Sequence, residues 1–124
     1  MSENFLLDQR SVAFAEDYVP APEDVTTARR NAIASDAPAP SNGVTTALTF
    51  LARVLDATAV VEIGTGTGTT GLALFEGMNP KGVLTSIDSE VDWQLEAKQA
   101  FRDRKIPTQR FRLISGHPLD VLNK

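Results

Sequence analysis

Residues 60–73, VVEIGTGTGTTGLA, set a carboxylate, Glu62, two positions ahead of three alternating glycines, Gly64, Gly66 and Gly68. A glycine turn between a strand and a helix lets backbone amides and the positive helix end approach a ligand, because no Cβ stands in the way. Two registers are open: G-x-G-x-G through Gly64, Gly66 and Gly68, or G-x-G-x-x-G through Gly66, Gly68 and Gly71. A dinucleotide fingerprint needs its first glycine straight off the strand and a small third residue against the helix. Starting at Gly64 puts Thr69 in the third place, and starting at Gly66 leaves two residues after the strand, so neither dinucleotide register fits cleanly. Asp88, 24 residues past Gly64, closes the next apolar run, where a carboxylate can accept from both hydroxyls of a ribose. The plainer role for Asp88 is to cap the following helix, a task Ser89 can take instead.

These residues need a strand, a turn and a helix to hold them. Val60-Val-Glu-Ile63 reads as a buried strand, residues 69–76 as a short helix, and Val83 to Asp88 as a second strand. Ser89 with Asp92 resembles a capping box for a helix of about fourteen residues that directs Val91, Leu95 and Phe101 inward. Pro107 ends it, Arg110 to Ile114 form a third strand, and Gly116-His117-Pro118 turn into a last helix. Strands separated by helix-length spacers predict right-handed crossovers and a parallel sheet of order 3-2-1. Ahead of it, residues 2–18 suit a helix capped by Ser2 or Asn4, and residues 23–35 a second. The Pro-rich loop 36–43 precedes a third helix whose Val44, Leu48, Leu51 and Leu55 step along one inward face.

Composition narrows the classes. The 124 residues suit one small domain, and 42% hydrophobic with 23% charged residues is ordinary for a globular protein. A net charge of −4, with basic residues grouped only at Arg102, Arg104, Lys105, Arg110 and Arg112, argues against nucleic acid. Without cysteine, and with His117 as the single histidine, any metal site would depend on carboxylates. No apolar run of about 18 residues suggests a membrane span, and the N-terminus lacks the order of a signal peptide, so a cytoplasmic location is expected.

With Glu62 in the strand and Gly64, Gly66 and Gly68 after it, the sequence resembles the class I S-adenosylmethionine-dependent methyltransferases. More narrowly it is similar to the catechol and caffeoyl-CoA type of small-molecule O-methyltransferase, over approximately residues 36–124. The resemblance implies an α/β fold: a helical N-terminal section, 1–58, whose loop 36–44 covers the cofactor, then the first half of a Rossmann-like methyltransferase sheet in 59–124. It places Gly64, Thr65, Gly66, Gly68 and Thr70 against S-adenosylmethionine, with Glu62 orienting its ammonium group and Asp88 and Ser89 at its ribose. Asn42, Gly43 and Val44 match the loop-to-helix junction over the cofactor, and His117 and Pro118 the reach toward adenine. Each has a plainer reading as well: a solvated acid, a helix cap, a turn histidine.

Members of that family continue with about four more strands, which carry the ligands of a divalent cation such as Mg, the general base and much of the acceptor pocket. This chain is therefore expected to bind cofactor, to be inactive alone toward a small-molecule methyl acceptor, and to self-associate as a homodimer through an uncovered first strand. Two other readings stay open: an NAD(P)-binding oxidoreductase domain, which shares Asp88 and two of the glycines, and a noncatalytic interaction module.

Overall fold

The computed structural model describes residues 8–123. Three helices, α1 (Gln9–Asp17), α2 (Glu23–Ala34) and α3 (Asn42–Val54), lead into an alternating series. It runs β1 (Ala59–Ile63), α4 (Thr69–Gly77), β2 (Val83–Asp88), α5 (Val91–Asp103), β3 (Phe111–Ser115) and α6 (Pro118–Leu122), with a 3-10 turn at Thr108–Arg110 before β3. The strands form one parallel sheet ordered β1-β2-β3, the expected topology.

Asp8 caps α1 by accepting from Ser11 N at 2.8 Å; the Ser2 and Asn4 caps expected for this helix lie outside the described residues. Ser41 caps α3, so Asn42 and Gly43 are its first turn rather than the end of the preceding loop. β3 begins at Phe111, one residue later than expected, because Arg110 belongs to the 3-10 turn.

The core lies between the sheet and α2, α4 and α5, around Phe101, Leu72 and Leu84, which are fully buried. Phe101 meets Phe75 and Phe111 edge-on at centroid distances of 5.3 and 5.4 Å. α5 therefore turns Gln94, Ala97 and Phe101 inward, whereas Val91 and Leu95, expected there, are exposed. The same offset corrects α3. Its inner face is Thr45, Leu48, Thr49 and Ala52, with Thr49 donating to Ala73 O at 2.7 Å, and its larger apolar side chains Val44, Leu51 and Leu55 face out. Small residues win this position because α3 and α4 lie so close: a Cβ on Gly77 would sit 2.1 Å from Thr49 O.

Arg104, at the C-cap of α5, ties the layer together. Its guanidinium donates to both oxygens of Asp24 on α2 and, at 2.6 Å, to Leu72 O on α4, which holds the Asp24 carboxyl below its usual range. Gly77→Ala should cost about 1–3 kcal/mol, the size of overpacking a closed contact, read as a lower urea midpoint with an unchanged slope.

Candidate functional site

The turn after β1 passes through Gly64, Gly66 and Gly68 at φ of 91°, 52° and 95°, a region that favours glycine. A Cβ on Gly64 would meet nothing within 4 Å, so this glycine is fixed by its backbone angle and keeps open the space in front of the turn. Gly68 and Gly71 differ, since added Cβ atoms would stand 3.0 Å from Ala97 and 2.6 Å from Phe101. Gly71 is a packing glycine of α4, which leaves Gly64, Gly66 and Gly68 as the turn.

In front of the turn lies a cleft of about 480 Å³, inside the size range of small-molecule sites. Glu62, Gly64, Gly66, Thr70 and Asp88 line it together with Pro38, Pro40 and Leu48. Among the described residues its ionisable lining groups are two acids, Glu62 and Asp88, with no Lys, Arg or His beside them.

Glu62 stands opposite Ser86 in the parallel register. Ser86 Oγ donates to its Oε1 at 2.6 Å, and Thr70 Oγ1 to its Oε2. Burial pushes the carboxyl above its ordinary range; the two hydroxyl donors oppose that shift, and the negative charge of Asp88 adds to it. Asp88 is buried, and its Oδ2 accepts from Gly66 N while its Oδ1 accepts from Glu90 N, both at 2.9 Å. The carboxylate thus clamps the glycine turn to the start of α5. This corrects the division of labour expected here, in which Ser89 caps the helix and leaves Asp88 free. Ser89 is exposed, and α5 has no side-chain cap bond.

Thr65 lines the cleft through its place in the turn, but its hydroxyl points inward, 2.6 Å from Ser86 Oγ. At the start of α4, Thr69 Oγ1 is buried with no hydrogen-bond partner, an unmet polar atom beside the cleft. Asn42, Gly43 and Val44 are not among the cleft's lining residues. Asn42 Nδ2 donates to Glu16 O and, at 2.7 Å, to Val19 O, Gly43 N donates to Glu16 Oε2 at 2.7 Å, and Val44 is half exposed. These bonds join α3 to the end of α1, and the one from Gly43 N, with a second from Ser41 Oγ, holds the Glu16 carboxyl below its usual range. His117 and Pro118 begin α6 after β3 and also lie outside the lining, with His117 exposed.

No protein-family model matches the chain. Among curated proteins, one from Mycobacterium sp. (strain KMS), named "Putative O-methyltransferase", is 46% identical over 113 residues, which is 91% of this chain and 51% of that protein. The chain belongs to the O-methyltransferase family. It spans about half the length of the curated relatives it matches, among them a Mycobacteroides abscessus protein of the same name, 41% identical over 90% of this chain and 52% of its own. A crystal structure of a Corynebacterium glutamicum protein superposes with a TM-score of 0.83 at 29% identity, over 93% of this chain and 55% of that one. The O-methyltransferase TomG from Streptomyces achromogenes, crystallised with SAM, shares the fold at a TM-score of 0.80 and 24% identity, over 95% of this chain and 56% of TomG.

Within this member of the O-methyltransferase family, Pro38 and Pro40 of the loop 36–44 line the cleft, and sequence reasoning missed Ser86 and Gln94. Ser86 carried a usable signal: a small hydroxyl in an apolar strand, at the position that parallel pairing sets against Glu62. Among the described residues no group of three or more His, Asp or Glu side chains could hold a metal ion.

The raised Glu62 carboxyl makes stability depend on pH. The unfolded chain releases this proton near its ordinary value of 4.5, while the folded chain keeps it to higher pH. Between the two the native state holds the extra proton, so this contribution is complete below the unfolded value and is lost as pH rises through the folded one. Urea midpoints measured across that window should fall with rising pH in the wild-type chain, and Glu62→Gln should flatten the slope.

Proposed function

We propose that this chain is the cofactor-binding half of an S-adenosylmethionine-dependent O-methyltransferase that acts on a small molecule. The observation that carries the proposal is the charge of the cleft: two carboxylates, Glu62 and Asp88, face one space without a cationic neighbour in its lining. Such a space suits a ligand that brings positive charge and vicinal hydroxyls. An NAD pyrophosphate would bring more negative charge to the same place, which counts against the oxidoreductase reading.

The residues fit that cofactor. Gly64 keeps the space clear, Thr69 Oγ1 offers an unused polar atom, and the remaining lone pairs of Asp88 can accept from ribose hydroxyls while Gly66 N and Glu90 N hold it still. Glu62, between Ser86 and Thr70, would take an ammonium group and gain the counter-charge it lacks. Bound S-adenosylmethionine supplies an electrophilic methyl group for an oxygen nucleophile that must lose its proton. Both cleft acids are occupied in holding the turn or its ligand, so the 124-residue chain is expected to bind without transferring. The divalent cation implied by resemblance has no ligand set among the described residues.

In this reading residues 1–58 form the helical cover and 59–124 the cofactor-binding unit, working in the cytoplasm. Pro38 and Pro40 give the cover its contact with the cleft.

Isothermal calorimetry with S-adenosylmethionine, its demethylated product and NAD separates the readings. The first two should bind and NAD should not. Glu62→Gln and Asp88→Asn should each weaken binding at least about tenfold, since a hydrogen bond to a charged group is worth about 1.5–3 kcal/mol. Binding of NAD alone would restore the oxidoreductase reading, and binding of none the interaction module.

Self-association belongs to the same proposal. β1 pairs on one side only, and its Val61 and Ile63 are 63% and 60% exposed. An uncovered apolar edge strand recruits a partner, so sedimentation velocity should show dimers of the chain growing with concentration. A monomer at the highest soluble concentration overturns this part.

A further inference from the structure

Behind the glycine turn, polar side chains link α5 and all three strands. Gln94 on α5 is 5% exposed. Its Nε2 donates to Ile114 O at 3.0 Å and to Thr65 Oγ1 at 3.1 Å, and its Oε1 accepts from Ser115 Oγ at 2.8 Å. Thr65 Oγ1 lies 2.6 Å from Ser86 Oγ, which lies 2.6 Å from Glu62 Oε1. The row runs from the end of β3, under the turn, to the acid of β1.

Chemistry gives this row a direction. A backbone carbonyl only accepts, so the amide group facing Ile114 O must be the NH2, which settles the orientation of Gln94. The same NH2 then donates to Thr65. A hydroxyl that accepts one strong bond becomes a better donor in the next, so Thr65 gives its single proton to Ser86 and Ser86 gives its own to Glu62. In the opposite order Ser86 would donate to Thr65, and the Thr65 proton would have no acceptor in the row.

We propose that Gln94 is a positioning residue: its amide fixes the direction of the hydroxyl chain from Thr65 through Ser86 to Glu62, and so holds the Glu62 carboxylate as the negative pole of the cleft. This rests on the proposed function for its purpose, but not for its geometry. Gln94 reaches Glu62 through two hydroxyls and touches no ligand space. The groups around Glu62 leave few other sources for the effect. β2 contributes Asp88 as the other ionisable group, α4 contributes the uncharged Thr70, and the turn contributes Thr65.

The test is a 13C titration of the Glu62 carboxyl in the cofactor-free chain, which does not depend on what the cleft binds. Gln94→Met keeps the length and apolar stem but removes the donor. It should raise the Glu62 midpoint by about 0.1–0.2 pH unit, the size expected if each bond in a polarised row strengthens the next by about 10–30% over two links. Ser115→Ala removes only the bond to Oε1 and should leave the midpoint in place. Should Gln94→Met fail to fold, Thr65→Val cuts the next link and should give a larger rise. Equal midpoints in wild type and the donor-less variant would overturn the proposal, as would a Ser115→Ala shift as large. A midpoint that moves as expected in a chain that ignores S-adenosylmethionine sustains the directed row while removing the cofactor reading, so the two fail separately.

Discussion

A half-buried carboxylate beside a glycine turn, with no cation lining its cleft among the described residues, is the constraint that organises this molecule. Burying Glu62 is costly unless its oxygens are filled, and the fold fills them from both sides, with Ser86 from β2 and Thr70 from α4. That demand fixes the register of β1 against β2, where a slip of one residue would turn Glu62 to the other face and set it away from Ser86. It also fixes where α4 begins, since Thr70 must lie within reach one turn after Gly66 and Gly68. The left-handed glycines let the chain reverse within those few residues. Asp88 then locks the reversal by taking Gly66 N.

Around this turn the packing is closer than the apolar content suggests. Gly71 admits the Phe101 ring, Gly77 admits the backbone of α3, and Thr49, Ala52 and Ala73 fill the seam. Large side chains are gathered in one layer under α4 and α5, where Phe75, Phe101 and Phe111 pack edge to face. Arginines tie the rim. Arg110 donates to the carbonyls of Asn79 and Gly82, both at 2.9 Å, with its guanidinium 5.1 Å from the Phe75 ring centre. Arg104 spans α2, α4 and α5, so part of the basic group in the sequence is spent on tertiary bonds.

The alternating elements were legible because their signals are local: β-branched runs, glycines and prolines mark where each begins, and β2 carries the bounds read from its residues. The turn and its two acids were legible for the same reason. Helix faces were not. α3 and α5 each carry apolar residues on the face they expose as well as on the one they bury, Val44, Leu51 and Leu55 on one and Val91 and Leu95 on the other. The inner face is chosen by closeness of approach, which spacing alone does not reveal. Helix ends are closed by a device of their own. Asp36, Asp56 and Lys105 take positive φ after α2, α3 and α5, and the next residue donates back to Ala32, Ala52 and Phe101. This is the closing pattern usually marked by glycine, made here without it. Gln94 was invisible for a further reason: a polar residue on a helix reads as solvent-facing until the carbonyl of a distant strand gives it a partner.

The exposed apolar residues bear on how the cleft would work. Val61 and Ile63 alternate with Val60 and Glu62, so the strand that presents its acid toward α4 presents an uncovered apolar face on the other side. Whatever covers that face must also respect the glycine turn, since Ile63 is bonded in chain to Gly64 and Gly64 N is held by Ile87 O at 2.8 Å. Movement of β1 would carry the turn with it, and the clamp from Asp88 to Gly66 resists that movement from the other strand. The cleft is therefore held by β2 rather than by β1. Asp88 and Ser86 of the middle strand thus hold the turn and one oxygen of Glu62 while the other edge of the sheet stands open, so the shape of the cleft does not depend on what covers β1.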